Sequence, residues 1–254
     1  MIEALLKGKL SREQANMEDI LTSNVFGLLR YVSPELGLFR FLGEATTCEG
    51  DRRLDRLRDE CAVQRDSVAY EFWPLWPGRN GAAGCELDVV IHVPCDRGSS
   101  YLIGIEAKYR SGKSSEGDER ARGPTDQLAR EWHALAREAK NCQAQPVLIY
   151  LTADVSCPHD QLKASIADCR KDAAGLADPL ITWLSWRCLR RLFLHAADSH
   201  LRDIASLAES LDLVSFEKIS ALDPIQIEWQ FRRAPPKWRL KVGAYRAPGG
   251  SRHE

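Results

Sequence analysis

The chain has 254 residues, 44% hydrophobic and 28% charged, a composition that excludes a disordered or fibrous protein and suits one or two globular domains. Its 35 Lys and Arg against 36 Asp and Glu leave a formal net charge of -1. That excludes a histone-like polycation but not a nucleic-acid enzyme, because charge can be segregated locally. No apolar run reaches the ~18 residues of a membrane span, and the opening MIEALLKGKLSREQ lacks the pattern of a secretory leader. Eight cysteines, at 48, 61, 85, 95, 142, 157, 169 and 188, form no Cys-x-x-Cys pair. The expectation is a cytoplasmic protein with reduced cysteines and no membrane partner.

Taken in chain order, residues 16–32 space Ile20, Leu21, Val25, Leu28, Leu29 and Val32 as one helical stripe. Asn16 is the expected cap, and Glu18 and Asp19 lie in the first turn, where carboxylates suit the helix dipole. Residues 51–65 form a second, highly charged helix candidate. Val68–Trp73 reads as a strand stopped by Pro74 and Pro77, and 77–81 as a turn. ELDVVIHV (86–93) and YLIGIEAK (101–108) read as two strands joined by a short turn, hence an antiparallel hairpin. Residues 110–123 are Ser, Gly and charge, a loop. Pro124 opens a predicted helix to about Lys140, with Leu128, Trp132, Leu135 and Ala139 on one face. PVLIYL (146–151) is a buried strand by its continuous apolarity. Residues 158–174 read as helix, 180–184 as strand and 186–210 as helix. Trp73, Trp76, Trp183 and Trp186 read most simply as core. The order is αβββαβ followed by an αβαα extension over about 152–211, all within one α/β domain spanning 1–227. Residues 228–254 carry seven Lys or Arg against two Glu, a basic tail suited to steering a polyanion or simply to solvation.

The chemistry is carried by Asp88, Glu106 and Lys108. Residues two apart on a strand share a face, so Glu106 and Lys108 project together, and the hairpin brings Asp88 beside them. Charges set in otherwise apolar strands are costly unless they are paired or bind metal. Two carboxylates at one sheet edge suit a hard divalent cation, Mg²⁺ or Mn²⁺. A lysine beside them can orient water and stabilise phosphate charge, the parts of a metal-assisted phosphodiester hydrolysis. Glu71 and Glu86 are further acidic candidates on the neighbouring strand positions.

These residues give the chain a resemblance to the PD-(D/E)XK nuclease superfamily, the restriction-endonuclease-like fold. Its motif reads here as Glu86-Leu87-Asp88, then 17 residues, then Glu106-Ala107-Lys108. The αβββαβ order resembles that core over roughly 14–151, with a mixed central sheet. Leu87 stands where the motif often has proline. The resemblance implies a Mg²⁺- or Mn²⁺-dependent endonuclease acting on DNA. Asp88, Glu106 and the Ala107 carbonyl would bind the metal, Glu18 would assist from the first helix, and Lys108 would position the water. Gln127 would orient the site from the following helix. Arg110, Lys113 and Arg120 of the loop would meet the DNA backbone. EDILTSNVFGLLRYV and WLSWRCLRRL resemble segments of bacterial nuclease-like proteins of phage defence, which implies an antiviral setting. The near-neutral charge suggests a partner subunit that supplies targeting or control, or a second copy of the chain.

Other readings stand beside this one. The fold can serve as a non-catalytic nucleic-acid-binding or scaffold subunit, with Asp88, Glu106 and Lys108 as a structural ion-pair set. Ala107–Ser114 also fits a loose phosphate-loop pattern, with VLIYLTAD as a second nucleotide-binding motif. A P-loop NTPase needs a helix starting at Lys113-Ser114, however, and the continuation SEGDERARGP has no apolar stripe to pack one.

Overall fold

The computed structural model describes residues 18–61, 65–77, 84–96, 99–109, 124–171 and 173–215. They belong to one compact unit. Helix α1 (Glu18–Leu29) is followed by two short helices, α2 (Leu38–Leu42) and α3 (Leu57–Glu60), and a 3₁₀ turn, Arg65–Ser67. Strands β1 (Ala69–Phe72), β2 (Leu75–Trp76), β3 (Cys85–Glu86), β4 (Val89–Val93) and β5 (Tyr101–Lys108) come next. Helix α4 (Gln127–Asn141) leads to β6 (Gln145–Thr152), α5 (His159–Cys169), β7 (Ile181–Ser185), α6 (Cys188–Phe193) and α7 (Ser199–Ser210).

The architecture is α/β around a mixed five-stranded sheet of order β1-β4-β5-β6-β7. The β1–β4 and β4–β5 pairs are antiparallel; β5–β6 and β6–β7 are parallel. Side chains alternate between two cores. Ile91, Ile103, Ile105 and Ile149 pack with α1, α2, α6 and α7, while Val90, Leu102, Leu148 and Tyr150 pack with α4 and α5. A sheet covered on both faces needs continuously apolar strands, which is why β5 and β6 lack the alternation of a half-exposed strand. Every residue of β5 is buried, its two charges included.

The antiparallel hairpin, the long strands β5 and β6 and the helix-strand-helix-helix extension all form as expected. Several boundaries differ for physical reasons. Among its described residues the charged segment 51–65 gives only the single helical turn α3. Its start is diverted into a turn in which the Thr47 hydroxyl accepts the N–H groups of Glu49 and Asp51 and Gly50 takes φ +91°. The expected strand 86–93 is two pieces. Cys85–Glu86 pairs with Leu75–Trp76 in a separate two-stranded ribbon, and the chain turns at Leu87-Asp88 before entering β4. Helix α4 starts at Gln127 rather than Pro124, because the Asp126 side chain caps the Ala129 N–H at 3.2 Å. The helix expected over 186–210 breaks in two where Asp198 caps α7 through the His200 and Leu201 N–H groups. Helix α2 has no counterpart in the sequence reading.

The cysteines also depart from expectation. Cys61, at the end of α3, is disulfide-bonded to Cys95, just after β4. The two lie 34 residues apart in sequence, so only the fold brings them together and no spacing motif marks them. Trp186 is in the core, Trp76 and Trp183 are half-buried, and Trp73 is exposed at the end of β1 with φ +49°. Among the described residues no helix is long and apolar enough to cross a membrane. Asn16, the loop 110–123 with Arg110, Lys113 and Arg120, and the segment 228–254 lie outside the described residues.

Candidate functional site

Asp88, Glu106, Lys108, Glu18 and Gln127 meet at the carboxyl end of β5. The pairing of β4 with β5 ends at Val89↔Ile105, and the Asp88 N–H donates to the Ile105 carbonyl at 3.2 Å. The Asp88 side chain then turns across the strand end, where its Oδ2 accepts the Ala107 N–H at 2.7 Å. Glu106 and Lys108 share a face, as strand parity requires, and Lys108 Nζ lies 2.7 Å from Glu106 Oε1. Glu18 reaches the same point from the helix layer on the other side of the sheet. Its Oε2 accepts the Tyr109 N–H at 2.8 Å, and its Oε1 lies 3.4 Å from Lys108 Nζ. Gln127, the first residue of α4, donates from Nε2 to Glu106 Oε1 at 2.5 Å.

Helix α4 is placed for this by its own start. The N–H groups of Thr125 and Asp126 both donate to Asp168 Oδ2 of α5, at 2.7 and 2.9 Å. A buried carboxylate therefore fixes the turn that delivers Gln127. Deeper along β5, Gly104 lets the helix approach. A Cβ there would lie 3.0 Å from Leu87 Cδ1 and 3.1 Å from Leu135 Cδ2 of α4.

One participant is missing from the sequence reading. Glu131, one turn after Gln127, is 2% exposed. Its Oε1 accepts the same Gln127 Nε2 group at 2.8 Å, and its Oε2 has no hydrogen-bond partner among the described residues. Its signal in the sequence is positional: it flanks the buried stripe of Leu128, Trp132 and Leu135, on the side of Gln127. Tyr150 is a second neighbour, paired with Glu106 in register on β6 and buried. Glu71 and Glu86 are both exposed, on β1 and β3.

The electrostatics follow from burial and crowding. Desolvation, then the Glu106 charge, raises the Asp88 carboxyl from 3.8 to about 7, against the opposing Ala107 hydrogen bond. Burial also raises Glu106, with Lys108 working against it. Glu131 is pushed well above the carboxylate range, first by burial and then by Glu106. Burial would depress the Lys108 ammonium, but Glu106, Glu18 and Asp88 outweigh it and hold the lysine above its ordinary value. Lys108 is thus a fixed cation, suited to stabilising negative charge and unsuited to accepting a proton.

Among the described residues no group of three or more His, Cys, Asp or Glu is arranged to hold a metal ion. The donor set is instead a carboxylate pair, Asp88 and Glu106, each with one oxygen committed to a protein donor. That set is too small for zinc or an all-protein calcium cage. It matches Mg²⁺, which keeps several waters and takes one or two carboxylates from the protein. Two carboxylates held above their ordinary range are also what a divalent cation would relieve. The chain matches no protein-family model, no curated protein and no solved structure. The fold itself is that of an α/β protein with a mixed sheet and a buried acid-lysine cluster at the end of its central strand.

Proposed function

We propose that this protein is a Mg²⁺- or Mn²⁺-dependent nuclease of PD-(D/E)XK type that hydrolyses phosphodiester bonds in DNA. The observation that carries the reading is the convergence of Asp88, Glu106 and Lys108 at one strand end, with Asp88 locked onto the Ala107 N–H. The antiparallel β4–β5 hairpin, the α4 crossover and the parallel β6 supply the order expected of a restriction-endonuclease-like core. Asp88 and Glu106 would hold the cation. The Ala107 carbonyl would join them, since it points to the same side of the strand as the N–H that meets Asp88. When bound, a divalent cation there supplies Lewis-acid polarisation of the phosphate and a more acidic water. Lys108, kept charged by its acidic neighbours, orients the attacking water and stabilises the negative charge that develops on phosphate. Glu18 ties Lys108 to the first helix and fixes the Tyr109 backbone. Gln127 occupies one Glu106 oxygen and leaves the other for the cation. The loop cations Arg110, Lys113 and Arg120 are candidates for backbone contacts to DNA.

The test is cleavage of supercoiled plasmid and single-stranded DNA by the purified chain with Mg²⁺, Mn²⁺ or EDTA, beside Asp88→Asn. Metal-dependent nicking that the variant loses is the expected result. Equal cleavage by the variant would refute the assignment. A folded chain that binds DNA without cutting it under either metal would favour the non-catalytic subunit reading.

A further inference from the structure

Glu131 is a buried acid beside this cluster, and the ion pairs of Lys108 with Glu106 and Glu18 do not account for it. A carboxyl group that is 2% exposed, with one oxygen unpartnered among the described residues, costs far more than the leucine that would fit the same helix stripe. Among the described residues its hydrogen bond comes from Gln127 Nε2, at 2.8 Å. An amide nitrogen has two hydrogens and can serve two acceptors at once. Here the two are Glu131 Oε1 and Glu106 Oε1. Lys108 Nζ meets that same Glu106 oxygen at 2.7 Å. The result is a chain from helix to strand: Glu131 sets the plane of the Gln127 amide, Gln127 sets the rotation of the Glu106 carboxylate, and among the described residues Glu106 Oε2 is the oxygen left over.

We infer that Glu131 is a positioning residue which, through Gln127, fixes the rotation of the Glu106 carboxylate so that one defined oxygen faces a divalent cation. The inference rests on the nuclease reading for its purpose, but not for its geometry. Glu131 acts as a hydrogen-bond acceptor, and a neutral amide can replace it in that role. A leucine cannot. Losing a partner that orients a metal-binding group typically costs 10- to 100-fold in affinity or activity.

Three readouts on Glu131→Gln and Glu131→Leu test this. The first is free of metal and substrate: the side-chain amide signals of Gln127 in a ¹⁵N-¹H spectrum, assigned by their loss in Gln127→Ala. Glu131→Leu should shift them and speed their hydrogen exchange, while Glu131→Gln keeps exchange slow. The second is Mn²⁺ affinity measured by calorimetry on the full chain, expected to fall about 10- to 100-fold in Glu131→Leu and less than about threefold in Glu131→Gln. The third is metal-dependent DNA cleavage, expected to follow the Mn²⁺ ranking. Thermal melting guards against misfolding, and Glu131→Leu should melt no lower than the unaltered chain. Unchanged Gln127 signals and Mn²⁺ affinity in Glu131→Leu would overturn the inference, as would equal losses in both variants. Absence of cleavage by the unaltered chain, with the first two readouts as expected, would sink the nuclease reading and leave the positioning role standing.

Discussion

Replacing Asp88 by Asn should stabilise the metal-free protein and abolish its response to Mg²⁺. Asp88 titrates from an ordinary 3.8 to about 7 because its charge is desolvated and faces Glu106. A carboxyl whose folded pKa is raised holds its proton more tightly when folded. Stability from this group is therefore full below pH ~4, falls as pH rises to about 7, and is absent above it. At about 1.4 kcal/mol per tenfold change in proton affinity, the rise is worth at most about 4 kcal/mol above pH 7. Asn keeps an oxygen for the Ala107 N–H but adds an amide near Lys108, and the side chain is only partly buried, so roughly 2 kcal/mol is the expected gain. In a chain of this size that is a rise in Tm of roughly 4–8 °C. The assay is thermal melting at pH 5 and pH 8 in EDTA and in Mg²⁺. At pH 8 in EDTA the Asn variant should melt above the unaltered chain, and at pH 5 the gap should narrow. Mg²⁺ should raise only the unaltered chain, because binding to the native state stabilises by mass action. A variant that melts lower at pH 8, or that keeps the full Mg²⁺ shift, would refute the electrostatic reasoning and the assignment of Asp88 as a ligand.

Three further outcomes follow from the same geometry. Lys108 is buried against Glu106, so its charge supports the fold as well as the site. Lys108→Met should therefore cost about 3 kcal/mol at pH 8 in chemical denaturation, and adding Glu106→Gln should recover most of it; additive losses would show that the pair is not coupled. The Cys61–Cys95 disulfide closes a 34-residue separation, so Cys61→Ala with Cys95→Ala should lower stability by about 2–4 kcal/mol, and thiol titration of the denatured chain should find six free thiols; eight would remove the disulfide from the account. Gly104→Ala places a methyl 3.0 Å from Leu87 and 3.1 Å from Leu135, so it should cost about 1–3 kcal/mol and weaken Mn²⁺ binding by displacing α4; a neutral Tm would mean both leucines yield freely.

The parts of this protein that sequence alone reveals are those governed by strong local signals. Tyr101–Lys108 is eight residues of apolar strand ending in two charges, and strand parity alone puts Glu106 and Lys108 on one face. A short turn then makes Asp88 a cross-strand neighbour. Gln127 is legible because a helix follows the loop. Elsewhere, long-range contacts override local preference. The turn at Leu87-Asp88 exists because Cys85–Glu86 is taken by a ribbon with Leu75–Trp76, and no local feature of ELDVVIHV announces that. The disulfide joins two cysteines whose spacing carries no motif. Asp198, by contrast, was readable as a cap inside the supposed long helix, and it outweighs the helical periodicity around it.

Glu131 is the instructive case, because an acid on a helix is ordinarily read as solvated. Its position beside Leu128, Trp132 and Leu135 contradicts that reading once the stripe is drawn. A glutamate there can be tolerated only if the fold gains something other than stability from it. The same logic covers the whole cluster. Asp88 and Glu106 are held above their ordinary range, Lys108 is confined by three acids, and one Glu131 oxygen lacks a partner among the described residues. A core built for stability would place none of these groups at the end of its central strand. The cost is concentrated where Asp88, Glu106 and Gln127 face one point, and a bound divalent cation is the single addition that would relieve most of it at once.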